Sequence, residues 1–227
     1  MRVANKRAAV LAALCLAVPV WAQFGGPRMP AMNGIFHPVV GEGVAYHIQG
    51  SGLTEQTMEY AIVGKEDYQG QTGYWMEMSS KDPRSGGEGA MKMLMVMEGP
   101  NPGAKRMIML MNGQAYEFPM NNPMMSGRMA QNAPHDITND KSFVDVGTES
   151  VTVPAGTFLC HHYRASDGSG DAWISTKVAP WGIVKSVNKD SSMELVRQIT
   201  DAKSKITGPV QQFDPSQMMP QRQPRPN

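Results

Sequence analysis

Apolar and polar side chains alternate with a period of two along most of this chain, and turn residues cut the alternation at short intervals. Val44, Tyr46 and Ile48 alternate with Ala45, His47 and Gln49; Met58, Tyr60 and Ile62 alternate with Thr57, Glu59 and Ala61. Further runs cover 74–78, 91–97, 107–111, 115–118, 143–146, 158–165, 171–176, 183–187 and 193–199. Between them stand Asp67-Tyr68-Gln69-Gly70, Pro100-Asn101-Pro102-Gly103, Asn112-Gly113 and Ser166-Asp167-Gly168-Ser169-Gly170. Successive strand side chains point to opposite faces, so this pattern predicts strands with one face turned inward. No long 3.6-residue period competes with it, and at most a short helix is expected near Met124–Gln131. The expected fold is all-β and mainly antiparallel: a curved sheet or incomplete barrel of roughly 10–12 strands with a long lid-like loop and little helix.

The flanks read differently. Arg2, Lys6 and Arg7 precede an uncharged apolar run, Ala8–Val18, which Pro19 ends; Val20-Trp21-Ala22 then offers small or apolar residues before Gln23. This is the layout of a secretory signal peptide, and the run is shorter than the roughly 20 residues a membrane-spanning helix needs. The expected organisation is a signal peptide at 1–22, cleaved near Ala22, a flexible segment at 23–35 and a single β-rich domain at 36–207. Within the domain, residues 120–140 hold Pro123, Pro134 and several Asn with little alternation, and are expected to form the long loop. Residues 208–227 contain five Pro and five Gln, too little apolar surface to offset ordering entropy, and are expected to be a disordered tail. The expected location is the periplasm or the exterior.

Export changes the charge balance. The signal segment takes three of 21 Lys+Arg and none of 20 Asp+Glu, leaving 18 against 20. No basic surplus remains for nucleic acid, and no later apolar stretch is long enough to cross a membrane. Cys15 goes with the signal, so Cys160 has no partner for an intrachain disulfide. Packing must hold the fold.

Methionine is the outlier, with 20 in the chain. Met91, Met93, Met95 and Met97 point to one side of a strand, and Met107, Met109 and Met111 do so on the next. A hairpin through Glu98–Arg106, with Met97 opposite Met107, puts both rows on one face. Asn112-Gly113 is a strong signal for a type I′ turn, which sets Met111 opposite Gln114, Met109 opposite Tyr116 and Met107 opposite Phe118. The reverse face carries Leu94, Val96, Ile108 and Leu110, so cover is expected on both sides. Unbranched thioethers fill irregular core space, and the same property suits the wall of an adaptable apolar pocket. Thioethers also select Cu(I), for which the expected set is Met120, Met124, Met125, Met129 and His135 in the long loop. Sacrificial oxidation is a further use.

Cys160-His161-His162 is the other group with chemical potential. Cys160 and His162 share a face, and a hairpin at Ala165–Gly170 sets His162 against Trp173 and Cys160 against Ser175. No acidic residue is evident there to orient the imidazole, so an inert thiol beside a packed ring is expected. Ser186-Val187-Asn188-Lys189 matches S-x-x-K, but its companion motifs are missing. No Gly-x-Ser-x-Gly elbow, His-Glu-x-x-His pair, P-loop, dinucleotide fingerprint or Cys-x-x-Cys occurs, and no catalytic residue is assigned.

One stretch has a familiar look. Val151-Thr152-Val153-Pro154-Ala155-Gly156-Thr157-Phe158 is followed by Cys160, Tyr163, Trp173-Ile174-Ser175 and Pro180-Trp181-Gly182-Ile183-Val184-Lys185. With Phe36-His37-Pro38-Val39-Val40-Gly41 and Glu59–Glu66, it resembles a group of exported bacterial domains of unknown function, similar to the LolA/LolB-like lipoprotein-carrier fold. The resemblance implies an incomplete antiparallel barrel whose concave side holds an apolar ligand. The expected function is a non-enzymatic periplasmic binding or scaffold protein with a lipid-like ligand on the Met/aromatic face and no cofactor. The alternatives are a Met-rich Cu(I)-binding protein and a purely structural envelope protein.

Overall fold

Twelve strands join edge to edge in one sheet, as seen in a computed structural model that describes residues 35–50, 55–81, 87–98, 102–120, 137 and 140–214. They are β1 (Gly43–Gly50), β2 (Gln56–Tyr68), β3 (Gln71–Lys81), β4 (Glu88–Val96), β5 (Gly103–Met111) and β6 (Gln114–Phe118). Then follow β7 (Phe143–Val153), β8 (Gly156–Ala165), β9 (Gly170–Ile174), β10 (Ile183–Asn188), β11 (Ser191–Ile199) and β12 (Val210–Gln212). The spatial order is β12-β6-β5-β4-β3-β2-β1-β11-β10-β9-β8-β7. Two antiparallel meanders, β1–β6 and β7–β11, thus meet where β1 pairs with β11, for example Tyr46 with Leu195. The sheet does not close into a barrel, and no helix occurs among the described residues.

Turn chemistry places the strand ends. Asn112 and Gly113 have φ of 51° and 77°, the left-handed pair that a two-residue hairpin requires, and β5 and β6 pair directly on either side. Val153 and Gly156 pair across Pro154-Ala155, and the Ala155 amide then donates to the Leu195 carbonyl at 3.2 Å. That bond brings the tip of the β7–β8 hairpin back over β11, so the sheet is strongly curled.

The inward face holds the main core. Val44, Tyr46 and Ile48 from β1, Met58, Tyr60 and Ile62 from β2, and Met193 and Leu195 from β11 are buried there with Trp181 and Ile183. Tyr60 sets its ring edge-on to Trp181 at 6.0 Å and to Tyr46 at 5.9 Å, and the Tyr46 hydroxyl donates to the Ile183 carbonyl at 2.9 Å. Each such side chain contributes about 1.5–3 kcal/mol through burial. Ile137, from the stretch expected to be a lid, is buried in this core.

A smaller cluster of Ala90, Ile108, Ala115 and Ile206 lies on the outer face. Ile206 belongs to the segment after β11, which crosses the outside of β2–β5 and ends as β12, paired in parallel with β6. The sequence placed Val210–Gln212 in the disordered tail, whereas backbone pairing with Ala115–Glu117 orders them as a strand. Residues 1–34, where the signal peptide and most of the flexible segment are expected, and residues 215–227 lie outside the described residues.

Candidate functional site

Cross-strand register gathers the methionines. One row runs Tyr60–Met78–Met91–Met109–Tyr116 across β2 to β6, each residue directly opposite the next. Two residues along, a second runs Ile62–Met76–Met93–Met107–Phe118. The three pairings expected around Asn112-Gly113 are all present. The expected pairing of Met97 with Met107 is not: Met93 takes that place, and Met91 faces Met109. Strand β5 begins at Gly103, so Gly103, Ala104 and Arg106 extend the ladder and the connection is shorter than the sequence suggested. An irregularity between Leu94 and Met95 sets Met95 against Ala104, and Met97 lies beyond the strand, exposed. The expected shared face survives because the displacement is an even number of residues.

Burial falls along the first row and alternates along the second. Tyr60 and Ile62 are in the core, as are Met76 and Met95. Met107 is buried too, whereas Met78, Met91, Met93, Met109, Met111, Tyr116 and Phe118 are half-buried. Phe213, just after β12, stacks on Phe118 at 4.1 Å and meets Tyr116 edge-on at 6.4 Å. This residue joins the site through the β12–β6 pairing, which sequence pattern did not anticipate.

The reverse of the same strands is covered, as expected. Leu94, Val96 and Ile108 are buried, and Trp75 lies between two cations, with Lys92 Nζ 5.3 Å and Arg106 Cζ 5.2 Å from its ring. Arg106 donates to Glu117 through Nε at 2.7 Å and through a terminal nitrogen at 3.2 Å, and reaches Glu66 at 3.0 Å. Trp75 Nε1 donates to the other Glu66 oxygen at 2.9 Å. These bonds fix β2, β3, β5 and β6 relative to one another, and with them the registers of the methionine rows.

His162 is set differently from the sequence expectation. Its ring stacks on Trp173 at 4.6 Å, as the hairpin register implied, but carboxylates flank both nitrogens. Nε2 lies 2.6 Å from Asp171 and Nδ1 lies 3.1 Å from Glu149, which also accepts from Trp173 Nε1 at 2.6 Å. Asp171 was discoverable, since it shares a strand face with Trp173 two residues on. Glu149 was missed because the expected strand ended at Val146, whereas β7 runs on to Val153 and sets Glu149 opposite Cys160. The Cys160 thiol donates to the Phe158 carbonyl at 3.6 Å, and burial, with the Glu149 charge, pushes its pKa up to about 11. A thiol so protonated is a poor nucleophile, and the imidazole spends both nitrogens on carboxylates. The cluster ties β7, β8 and β9 together.

Of the loop set considered for copper, Met120 is half-buried after β6. Met124, Met125, Met129 and His135 lie outside the described residues, as does the short helix expected near Met124–Gln131. Among the described residues no three His, Cys, Asp or Glu side chains converge as metal ligands, and no helix is long and apolar enough to cross a membrane.

No protein-family model matches the chain, and no curated protein matches it. Among solved structures, a candidate lipoprotein from Parabacteroides distasonis ATCC 8503 is 17% identical, with a TM-score of 0.36 over 73% of this chain and 99% of that one. A candidate exported protein with YmcC-like fold from Bacteroides fragilis NCTC 9343 is 15% identical, with a TM-score of 0.35 over the same shares. Similarity at this level carries no argument about what this chain does.

Proposed function

We propose that this is an exported, non-enzymatic binding protein that holds an apolar, lipid-like ligand on the methionine and aromatic face of its curled sheet. The observation that carries this reading is the fall in burial from Tyr60, 2% exposed, to half-buried Met78, Met91, Met109 and Tyr116 in one continuous row. A closed core would bury the whole row; here its far half keeps apolar surface within reach of a ligand. Thioethers adapt to irregular partners, and the Tyr116, Phe118 and Phe213 rings give that end a firm apolar wall. The charged and apolar order of residues 2–22 supports export, and the resemblance of 147–185 to lipoprotein-carrier-like domains agrees with an open sheet whose inner side takes the ligand.

Native mass spectrometry of gently purified protein tests the reading. A lipid-sized adduct is expected on the wild type and absent from Met109→Lys and Tyr116→Lys, each of which puts a charge on the apolar row. Failure of a folded sample to bind any apolar fluorescent probe at micromolar affinity would overturn it.

A further inference from the structure

Six thioethers form a block on the inward face. Met78, Met91 and Met109 are direct neighbours across β3, β4 and β5, and Met76, Met93 and Met107 repeat the arrangement two residues along. We propose that the more open row, Met78–Met91–Met109, binds a soft monovalent cation, Cu(I).

Strand spacing places the ligands. Directly opposed residues hold their Cβ atoms about 4.5–5.5 Å apart. Three rotatable bonds let Met78 and Met109 lean toward Met91 from either side and bring their sulfurs around one ion. The donor set then selects the metal. Thioethers are neutral and soft and favour Cu(I), whereas harder divalent ions require carboxylates or imidazoles. No cluster of three such groups exists among the described residues.

Burial also differs between the rows. In the second row Met76 and Met107 are 4% and 2% exposed and Met93 alone is half-buried, while all three methionines of the proposed row are half-buried. An ion can reach them without unfolding the sheet, and water can share its solvation, which offsets the cost of taking a charge wholly out of solvent. Tyr60 and Tyr116 bound the row at its two ends. This site differs from the loop set that the sequence suggested, and it does not rest on the apolar-ligand reading.

Leucine for methionine keeps volume and apolar character and removes the sulfur, so it separates the two proposals. The purified protein is titrated with Cu(I) under anaerobic conditions, in competition with bicinchoninate. One ion per chain is expected. The triple variant Met78→Leu, Met91→Leu, Met109→Leu should bind at least about 100-fold more weakly, beyond what loss of an outer-shell partner costs, with apolar-probe binding retained. Met120→Leu should leave the affinity unchanged. A wild type that fails to compete, or a triple variant that binds as tightly, overturns the site. A second measurement needs no variant: in protein labelled with ¹³C at the methionine methyls, Ag(I) should shift Met78, Met91 and Met109 first. Unmoved signals from these three would equally reject it.

Discussion

His162 Nε2 lies 2.6 Å from Asp171 Oδ1, inside a hairpin where the sequence showed only a packed ring. Arg164 Nε donates to the same carboxylate oxygen at 2.9 Å, so Asp171 joins two side chains of β8 to β9. Truncating Asp171 leaves a buried imidazole without one partner and a guanidinium without its acceptor. Asp171→Ala should therefore cost about 1–3 kcal/mol in urea unfolding. Lys203→Ala is the control: its ion pair with Asp201 is exposed at both ends, and its loss should leave stability nearly unchanged. Equal losses in the two variants would show that the His162 cluster is not a structural tie.

Acid should weaken the fold through two carboxylates. Burial opposes the Asp171 charge, but hydrogen bonds from His162 and Arg164 outweigh it and hold the carboxyl below its ordinary range. Glu117 is held low chiefly by its hydrogen bond from Arg106, against a smaller penalty from burial. A group with a depressed folded pKa binds its proton more readily in the unfolded chain. The stabilisation is thus complete above the unfolded value, about 4, and is lost as pH falls through the folded one. Arg106→Gln removes the charge that depresses Glu117, so its stability should fall less steeply below about pH 4 than the wild type's. Parallel slopes would assign the acid response elsewhere.

How far the sequence reveals this architecture depends on whether a turn names itself. Asn112-Gly113 admits one hairpin geometry, and the Met107–Phe118, Met109–Tyr116 and Met111–Gln114 pairs follow from it. The connection after Met97 offers no such signal: Pro102-Gly103 could end a loop or open a strand, and the register slips by four residues with it. Val210–Gln212 show why strand β12 was illegible. Its three residues are exposed and of mixed polarity, and they form a strand because β6 offers a free edge beside them, a tertiary cause that local pattern does not record. The thioether face was legible as a face, since parity survives a shift of four. Its gradient of burial was not, because that depends on how the sheet curls.

Glu77 latches the returning segment to the outer face, and its removal should release it. The side chain is 3% exposed, accepts the Ser204 hydroxyl at 2.6 Å on one oxygen and takes the Lys205 amide at 2.8 Å on the other. Lys205 continues the latch through ion pairs to Glu59 and Glu88, and Lys92 Nζ reaches Ser204 Oγ at 3.4 Å. Glu77→Leu keeps the bulk of the side chain but leaves the Lys205 amide without its acceptor and the Ser204 hydroxyl with only the Ile206 carbonyl at 3.1 Å, a loss of about 1–3 kcal/mol if the amide stays buried. The segment should lift around Lys203–Lys205 before the sheet unfolds, because its apolar anchors lie to one side of that stretch: Ile206 against Ala90, Ile108 and Ala115, and Phe213 against Phe118 and Tyr116. Trypsin, followed by mass spectrometry, should cut the variant after Lys203 and Lys205 well before it cuts within β1–β11, and faster than it cuts the wild type. Cleavage at the same rate in both would mean that Glu77 does not hold the segment down, and that Ile206 with the β12–β6 pairing does.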